Sequence, residues 1–255
     1  MSQKAKNGIY MVCGIQSEEK EDYGTIKVEG VAKKLFTIPY KDASIVAMEV
    51  PMKVYPPNKD NLMMHQKAVS QVMKKNSTVI PVSFGNVFHS KGDVKVLLEN
   101  LYPQFQKLFP EIKGKIEVGL KVLGKQEWLD SQISKNPKLS KIRSQVADKS
   151  KAANYYERIE IGGMAKEFFM ALGQEVQQGV FRPLENLAVA AKINEPLTEK
   201  MLLNAAFLID KEKEEEFDRK VNEVYEKWEN RVDFNYSGPW PAYNFVNIRL
   251  KVEDK

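Results

Sequence analysis

His65 and His89 are the only histidines in the chain, and Cys13 is its only cysteine. These residue types supply most transition-metal ligands and many nucleophile–base pairs, so their scarcity limits the available chemistry. A structural zinc site needs several such ligands converging; neither histidine stands in an HExxH frame and no CxxC pair exists. His65, beside an apolar stripe, reads instead as a boundary or hydrogen-bonded histidine. No GxSxG pattern occurs, and Ser237-Gly238 is a turn dipeptide rather than a nucleophile elbow. Gly162-Gly163-Met164-Ala165-Lys166 lacks the GxxxxGK[ST] spacing that wraps backbone amides around phosphates and lies in a helical pattern, so close helix packing is the simpler reading. The residues thus predict no catalytic constellation, no metal site and no cofactor.

Nucleic-acid recognition is the next chemistry to weigh. The net charge is +5 and the pI about 9.0. So modest an excess describes a solvated lysine-rich surface unless the charges cluster. Val82-Ser83-Phe84-Gly85-Asn86-Val87-Phe88 is a partial match to the aromatic strand of an RNA-recognition module, but Asn86 stands where a stacking ring is required. A basic stretch runs from Lys135 through Lys138, Lys141, Arg143, Lys149 and Lys151 without interleaved aromatics, which fits the outer face of a helix. A single-stranded RNA-binding module of ferredoxin-like fold is the alternative that these segments leave open.

The elements that must position these residues follow from periodicity. At 255 residues, with 43% hydrophobic and 29% charged residues, the chain can bury a core in each of two domains. Gly8 to Ile15 reads as a buried strand. Lys34–Ile38 and Ser44–Val50 form a hairpin, and a helix capped by Asp60 or Asn61 runs to about Lys75 with Leu62, Met64, Ala68, Val69, Val72 and Met73 on one face. Thr78–Phe84 returns to strand, and Gly92–Phe109 is a helix that Pro103 should kink or split. Pro110–Gly114 reads as a hinge.

Beyond it, Lys115–Leu123 alternates as a strand with one wet face. A long helical segment extends to about Gln178, strands are expected at Glu185–Ala191 and Met201–Ile209, and a helix capped by Asp210 carries Phe217, Val221, Val224, Tyr225 and Trp228. Val232–Tyr236, an extended Pro239-Trp240-Pro241 turn and a strand over Tyr243–Val252 close the chain. The order β-α-β-β-α-β is ferredoxin-like. The fold class is therefore α+β, with residues 1–110 and 111–255 as two domains, each a small mostly antiparallel sheet with helices on one face. The second is a modified ferredoxin-like fold with a long helical insertion. Neither a signal peptide nor a membrane-spanning run is visible, and the lone Cys13, expected as a buried thiol, fits a reducing cytoplasm.

Four stretches, in order, carry a resemblance: Ile80 to Phe88 with His65 upstream, Lys115 to Val122, Leu202 to Ile209, and Ser237 to Val246. Together they resemble the gas vesicle protein GvpF/GvpL family, nearer its F branch, along nearly the whole chain. Ala242 and Asn244 depart from a more usual Pro-Tyr-Ser-Phe continuation. The resemblance implies a non-enzymatic minor structural component or assembly factor of gas vesicles, located in the cytoplasm and at the vesicle. It further implies two domains, the second ferredoxin-like, and contact with the small hydrophobic major shell protein and with other minor gas vesicle proteins, with neither nucleic acid nor membrane as partner. A highly apolar shell subunit needs its exposed surface covered before it polymerises. The candidate protein-binding residues are His65, Phe84 and Phe88 in the first domain and Trp240 and Tyr243 in the aromatic turn. The competing assignment for these rings is core packing.

Overall fold

The computed structural model describes residues 6–17, 22–137, 139–140, 155–198 and 200–248. Its chain divides into two compact units, one formed by Met1–Glu117 with Pro239–Lys255 and the other by Val118–Gly238.

The first unit is built on a six-stranded antiparallel sheet of β1 (Asn7–Gln16), β2 (Thr25–Val28), β3 (Val31–Tyr40), β4 (Ala43–Pro51), β5 (Val79–Pro81) and β6 (Val87–Phe88). The order is β2-β3-β4-β1-β5, with β6 also pairing β1. β1 is buried on both faces, which is why its sequence is a continuous apolar run rather than an alternating one. Its pairing with β4 slips between Met11 and Cys13, so Val12 is an extra, bulged residue. The hairpin joining β3 to β4 turns at Lys41-Asp42, with Lys41 at φ 52°.

Two helices cover this sheet. α1 (Lys59–Met73) packs Met64, Ala68, Val69 and Val72 into a cluster with Tyr10, Val12, Cys13 and Ile15. α2 (Lys91–Ile112) lies on the opposite face, where a Cβ on Gly14 would stand 2.5 Å from the Phe105 ring. The two helices therefore meet opposite faces of β1, which accounts for its two-sided burial. α1 is capped by Asn58, whose side chain accepts from the Asn61 amide at 3.0 Å, so the cap stands two or three residues before the positions expected. Leu62, assigned to the buried stripe, is 44% exposed.

α2 opens on a capping box in which Ser90 and Asp93 exchange bonds of 3.1 and 3.0 Å. It runs through Pro103 and Pro110 without being split. Buried Val94, Leu98 and Leu101 before Pro103, and Phe105, Phe109 and Ile112 after it, hold both halves on the same sheet. The expected hinge is thus the last helical turn, after which Gly114 at φ 69° leads into β7 (Lys115–Gly124).

The second sheet has the order β10-β7-β9-β8, where β8 is Ala190–Ile193, β9 is Met201–Asp210 and β10 is Val232–Trp240. Numbered from β7, this is the 4-1-3-2 arrangement of a ferredoxin-like fold, as the order of elements predicts. α3 (Gln126–Lys135), α4 (Tyr155–Val176), a π-helical segment at Gln177–Phe181 and α5 (Arg182–Glu185) connect β7 to β8. α6 (Glu214–Trp228) connects β9 to β10. Phe207 of β9 meets Phe181 and Phe217 with ring centroids 5.4 and 5.3 Å away, so α6 and the π-helical segment share one face of this sheet.

Several local expectations change here. Arg182–Glu185 is helical and the strand begins only at Ala190, because Leu184 is drawn into the core with the preceding helical segment. Asp210 makes no side-chain cap bond, and a 3-10 turn over Lys211–Lys213 leads into α6 instead. Among the described residues nothing lies within 4 Å of a Cβ built on Gly163. β10 continues through Pro239, which an edge strand tolerates, and the turn follows at Ala242–Phe245 where a last strand was expected. The remainder of that strand, and Lys138, Lys141, Arg143, Lys149 and Lys151, lie outside the described residues. No described helix is long and apolar enough to cross a membrane.

Candidate functional site: two apolar clefts of the first unit

Tyr10 anchors the site. Its hydroxyl accepts the Gly85 N–H at 3.2 Å and lies 3.0 Å from His65 Nδ1, so one buried phenol ties β1 to α1 and to the loop between β5 and β6. That loop turns at Gly85, whose φ of 89° favours glycine, and is fixed to β1 again by the Met11 N–H donating to the Asn86 carbonyl at 3.0 Å. The Phe84 ring is thereby held edge-on to Tyr10 and His65, at centroid distances of 6.3 and 5.8 Å. Such edge contacts each add about 0.5–1.5 kcal/mol beyond the area they bury.

The C-terminal turn is fixed independently. Glu117, only 4% exposed, accepts the Asn244 main-chain N–H at 2.7 Å and its side-chain amide at 2.6 Å. Ala242 is buried and its carbonyl accepts from Phe245 and Val246, which closes the turn and leaves Tyr243 42% exposed.

Between these supports lie two clefts with Tyr243 in the wall of both. The first, of about 300 Å³, is lined by Leu62, His65, Gln66, Val69 and Ser70 of α1, by Phe84, and by Trp240, Pro241 and Tyr243. The second, of about 400 Å³, is lined by Met11, by Pro81, Val82, Ser83, Asn86 and Phe88, by Leu97, Leu101 and Phe105 of α2, and by Tyr243, Val246, Asn247 and Ile248. Among the described residues no charged side chain lines either cleft. Apolar walls with a few polar groups are what an uncharged, largely hydrophobic ligand requires.

Burial sets the protonation of the polar groups. His65 is 5% exposed, and desolvation pushes its pKa down to about 4; the Val82 carbonyl, which favours the charged ring, offsets a smaller part. The ring is therefore neutral at pH 7. Desolvation likewise pushes the Tyr10 phenol up to about 12, against the lowering effect of the Gly85 amide. Tyr243 is raised to about 12, chiefly by burial, with the neighbouring Cys13, Tyr10 and Glu117 further disfavouring its anionic form. Cys13 is buried in the core, and desolvation raises its thiol far above the usual range.

All five candidate residues from the sequence stand at these clefts: His65, Phe84, Trp240 and Tyr243 at the first, Phe88 and Tyr243 at the second. His89 is exposed and lines neither. Leu62, Met11, Leu97 and Leu101 were not singled out, because each falls in an apolar periodicity that reads as core. Among the described residues no group of His, Cys, Asp and Glu could hold a metal ion.

Fold and site together define a class: an α+β protein of two compact units, one with a helix-covered six-stranded sheet and uncharged clefts, the other ferredoxin-like. The chain belongs to the family described as gas vesicle synthesis protein GvpL/GvpF, whose profile matches residues 8–247. It is 25% identical to gas vesicle protein F1 of Halobacterium salinarum, over 93% of both chains. It is 30% identical to gas vesicle protein F of Microcystis aeruginosa, over 73% of this chain and 77% of that one. The fold matches the crystal structure of the gas vesicle protein GvpF from Anabaena sp. at a TM-score of 0.78 and 23% identity, over 98% of this chain and 100% of the other.

Proposed function

We propose that this gas vesicle protein is a non-enzymatic assembly factor or minor component that binds the small hydrophobic shell protein during vesicle formation, through the paired clefts of its first unit. The observation that carries this reading is the uncharged lining of two clefts that share Tyr243. Exposed Leu62 and Met63 on α1 extend the apolar surface beside the first of them. An unpolymerised shell subunit exposes apolar surface that aggregates in water, and a partner covering it with matched apolar walls keeps it soluble. The protein acts in the cytoplasm and at the growing vesicle, with other minor gas vesicle proteins as further partners. An RNA-binding role gains no support from a surface whose rings stand in uncharged clefts, because single-strand binding combines stacking with a cationic groove.

The test is co-expression of the shell protein with this chain in a host lacking gas vesicles. Association of the two in the soluble fraction supports the reading. A shell protein that stays wholly insoluble and never co-purifies contradicts it.

A further inference from the structure

His65 carries a feature that neither packing nor the hydrogen bond to Tyr10 explains. The Tyr10 oxygen already accepts from Gly85, and the phenol's own proton has His65 Nδ1 as its acceptor at 3.0 Å. Were Nδ1 protonated instead, two buried protons would compete for one oxygen and the phenol would have no acceptor. The neutral ring therefore carries its proton on Nε2. That atom is shut off from solvent and makes no well-formed hydrogen bond among the described residues; the neighbouring Val82 carbonyl only partly offsets the cost of burying the ring. A buried donor without a well-formed hydrogen bond is destabilising, so an acceptor brought to it recovers free energy.

The cleft that His65 lines restricts what can bring the acceptor. Leu62, Val69, Phe84 and Trp240 offer apolar contact, and among the described residues no lysine or arginine lines the cleft to balance an anion. A carboxylate or phosphate would lose its hydration with nothing to replace it. A main-chain carbonyl within an apolar segment meets both conditions, being a strong neutral acceptor flanked by hydrophobic side chains.

We propose that His65 is the hydrogen-bond donor of this site, giving its Nε2 proton to a main-chain carbonyl of an uncharged apolar segment of the shell protein. This rests on the shell-binding role proposed above and assigns that role its polar contact. The entering segment parts the rings around His65 to reach Nε2, and the carbonyl fixes its register in a cleft whose other contacts are not directional.

Because the chain has two histidines, their side-chain nitrogens are resolved in spectra of the ¹⁵N-labelled full-length protein, and His89→Gln assigns them. The probe is the shell protein fused to a soluble carrier. On binding, the His65 Nε2 proton should move downfield, while the signals of exposed His89 stay in place. Binding is expected to weaken about tenfold in His65→Phe, which keeps a ring but no donor, and by no more than about threefold in His65→Gln, which keeps one acceptor and one donor. If the shell protein binds while the His65 Nε2 signal is unchanged, or if His65→Phe binds as tightly as the unaltered chain, this inference is overturned and the shell-binding role stands. If the shell protein does not bind at all, both fall together.

Discussion

Asn244 is gripped by both oxygens of the buried Glu117 carboxylate, one taking its main-chain N–H at 2.7 Å and the other its side-chain amide at 2.6 Å. The two residues are 127 positions apart, so this pair fixes where the aromatic turn settles. Glu117→Gln keeps one acceptor and places an amide against another amide. It should cost about 1.5–3 kcal/mol, the range for hydrogen bonds to a charged group. Urea unfolding measures the loss, and faster hydrogen exchange at the Asn244 amide shows that the turn itself has loosened.

The low pKa of His65 makes stability depend on pH. Unfolded, the ring takes up a proton near its ordinary pKa of 6.5; folded, it does so only near 4. The unfolded state binds more protons between those values, so the stabilising contribution is present above about 6.5 and is lost as pH falls towards 4. Between pH 7 and pH 5 the linkage amounts to about 2 kcal/mol. Denaturant melts at the two pH values should show this difference in the unaltered chain and in His89→Gln. In His65→Gln the slope should shrink by about that amount.

Gly179, in the π-helical segment, lies under the Trp228 indole, and a Cβ there would overlap the ring. The side of Trp228 is further held by Arg231, 5.2 Å from the ring and paired with Glu175 at 3.2 Å. Gly179→Ala must push the indole off the helix and should destabilise the second unit by about 1–3 kcal/mol. Tryptophan fluorescence in a Trp128→Phe, Trp240→Phe background reports the displacement of Trp228, and Gly163→Ala, with no described residue within 4 Å of the added Cβ, serves as the neutral comparison.

Cys13 has no exposed surface, and burial disfavours its thiolate. It should react with a thiol reagent only when the first unit opens, so labelling in native buffer should be slow and should accelerate with urea in step with unfolding. Rapid labelling of the folded chain would contradict the packing of β1 against α1.

Much of this architecture is legible in the sequence, for identifiable reasons. The run Gly8 to Ile15 announces a strand buried on both faces, and the alternation from Lys115 announces β7. Regular periodicity was enough for α1, α2 and α6, and the order of elements gave the ferredoxin-like sheet. Other features rest on contacts distant in sequence. Pro103 breaks an isolated helix, yet tertiary burial on both sides of it holds α2 together. β2 alternates Thr25, Ile26, Lys27 and Val28 over only four residues, too short a run to stand out before its pairing with β3 is known. Asn58 outcompetes Asp60 and Asn61 as a cap because it stands just outside the first turn.

The clefts divide along the same line. Aromatic residues in Val82–Phe88 and Trp240–Tyr243 mark themselves by type and by neighbouring glycine and proline. Their convergence depends on the Tyr10 to His65 contact, across 55 positions, and on Glu117 with Asn244. Leu62 and Leu97 stayed hidden for the opposite reason: an apolar residue at helical spacing reads as core whether or not a cleft opens over it.

If the paired clefts hold the shell protein, the dissociation constant of the full-length chain for the carrier-fused shell protein reports it. The side chain common to both clefts is Tyr243, while exposed Val189 in the second unit lines neither. Tyr243→Ser is expected to weaken binding by about tenfold or more, as removal of an aromatic interface residue does, and Val189→Ser to leave it unchanged. Equal affinity of the unaltered chain and Tyr243→Ser, with both folded, would mean that the shell protein does not bind at these clefts.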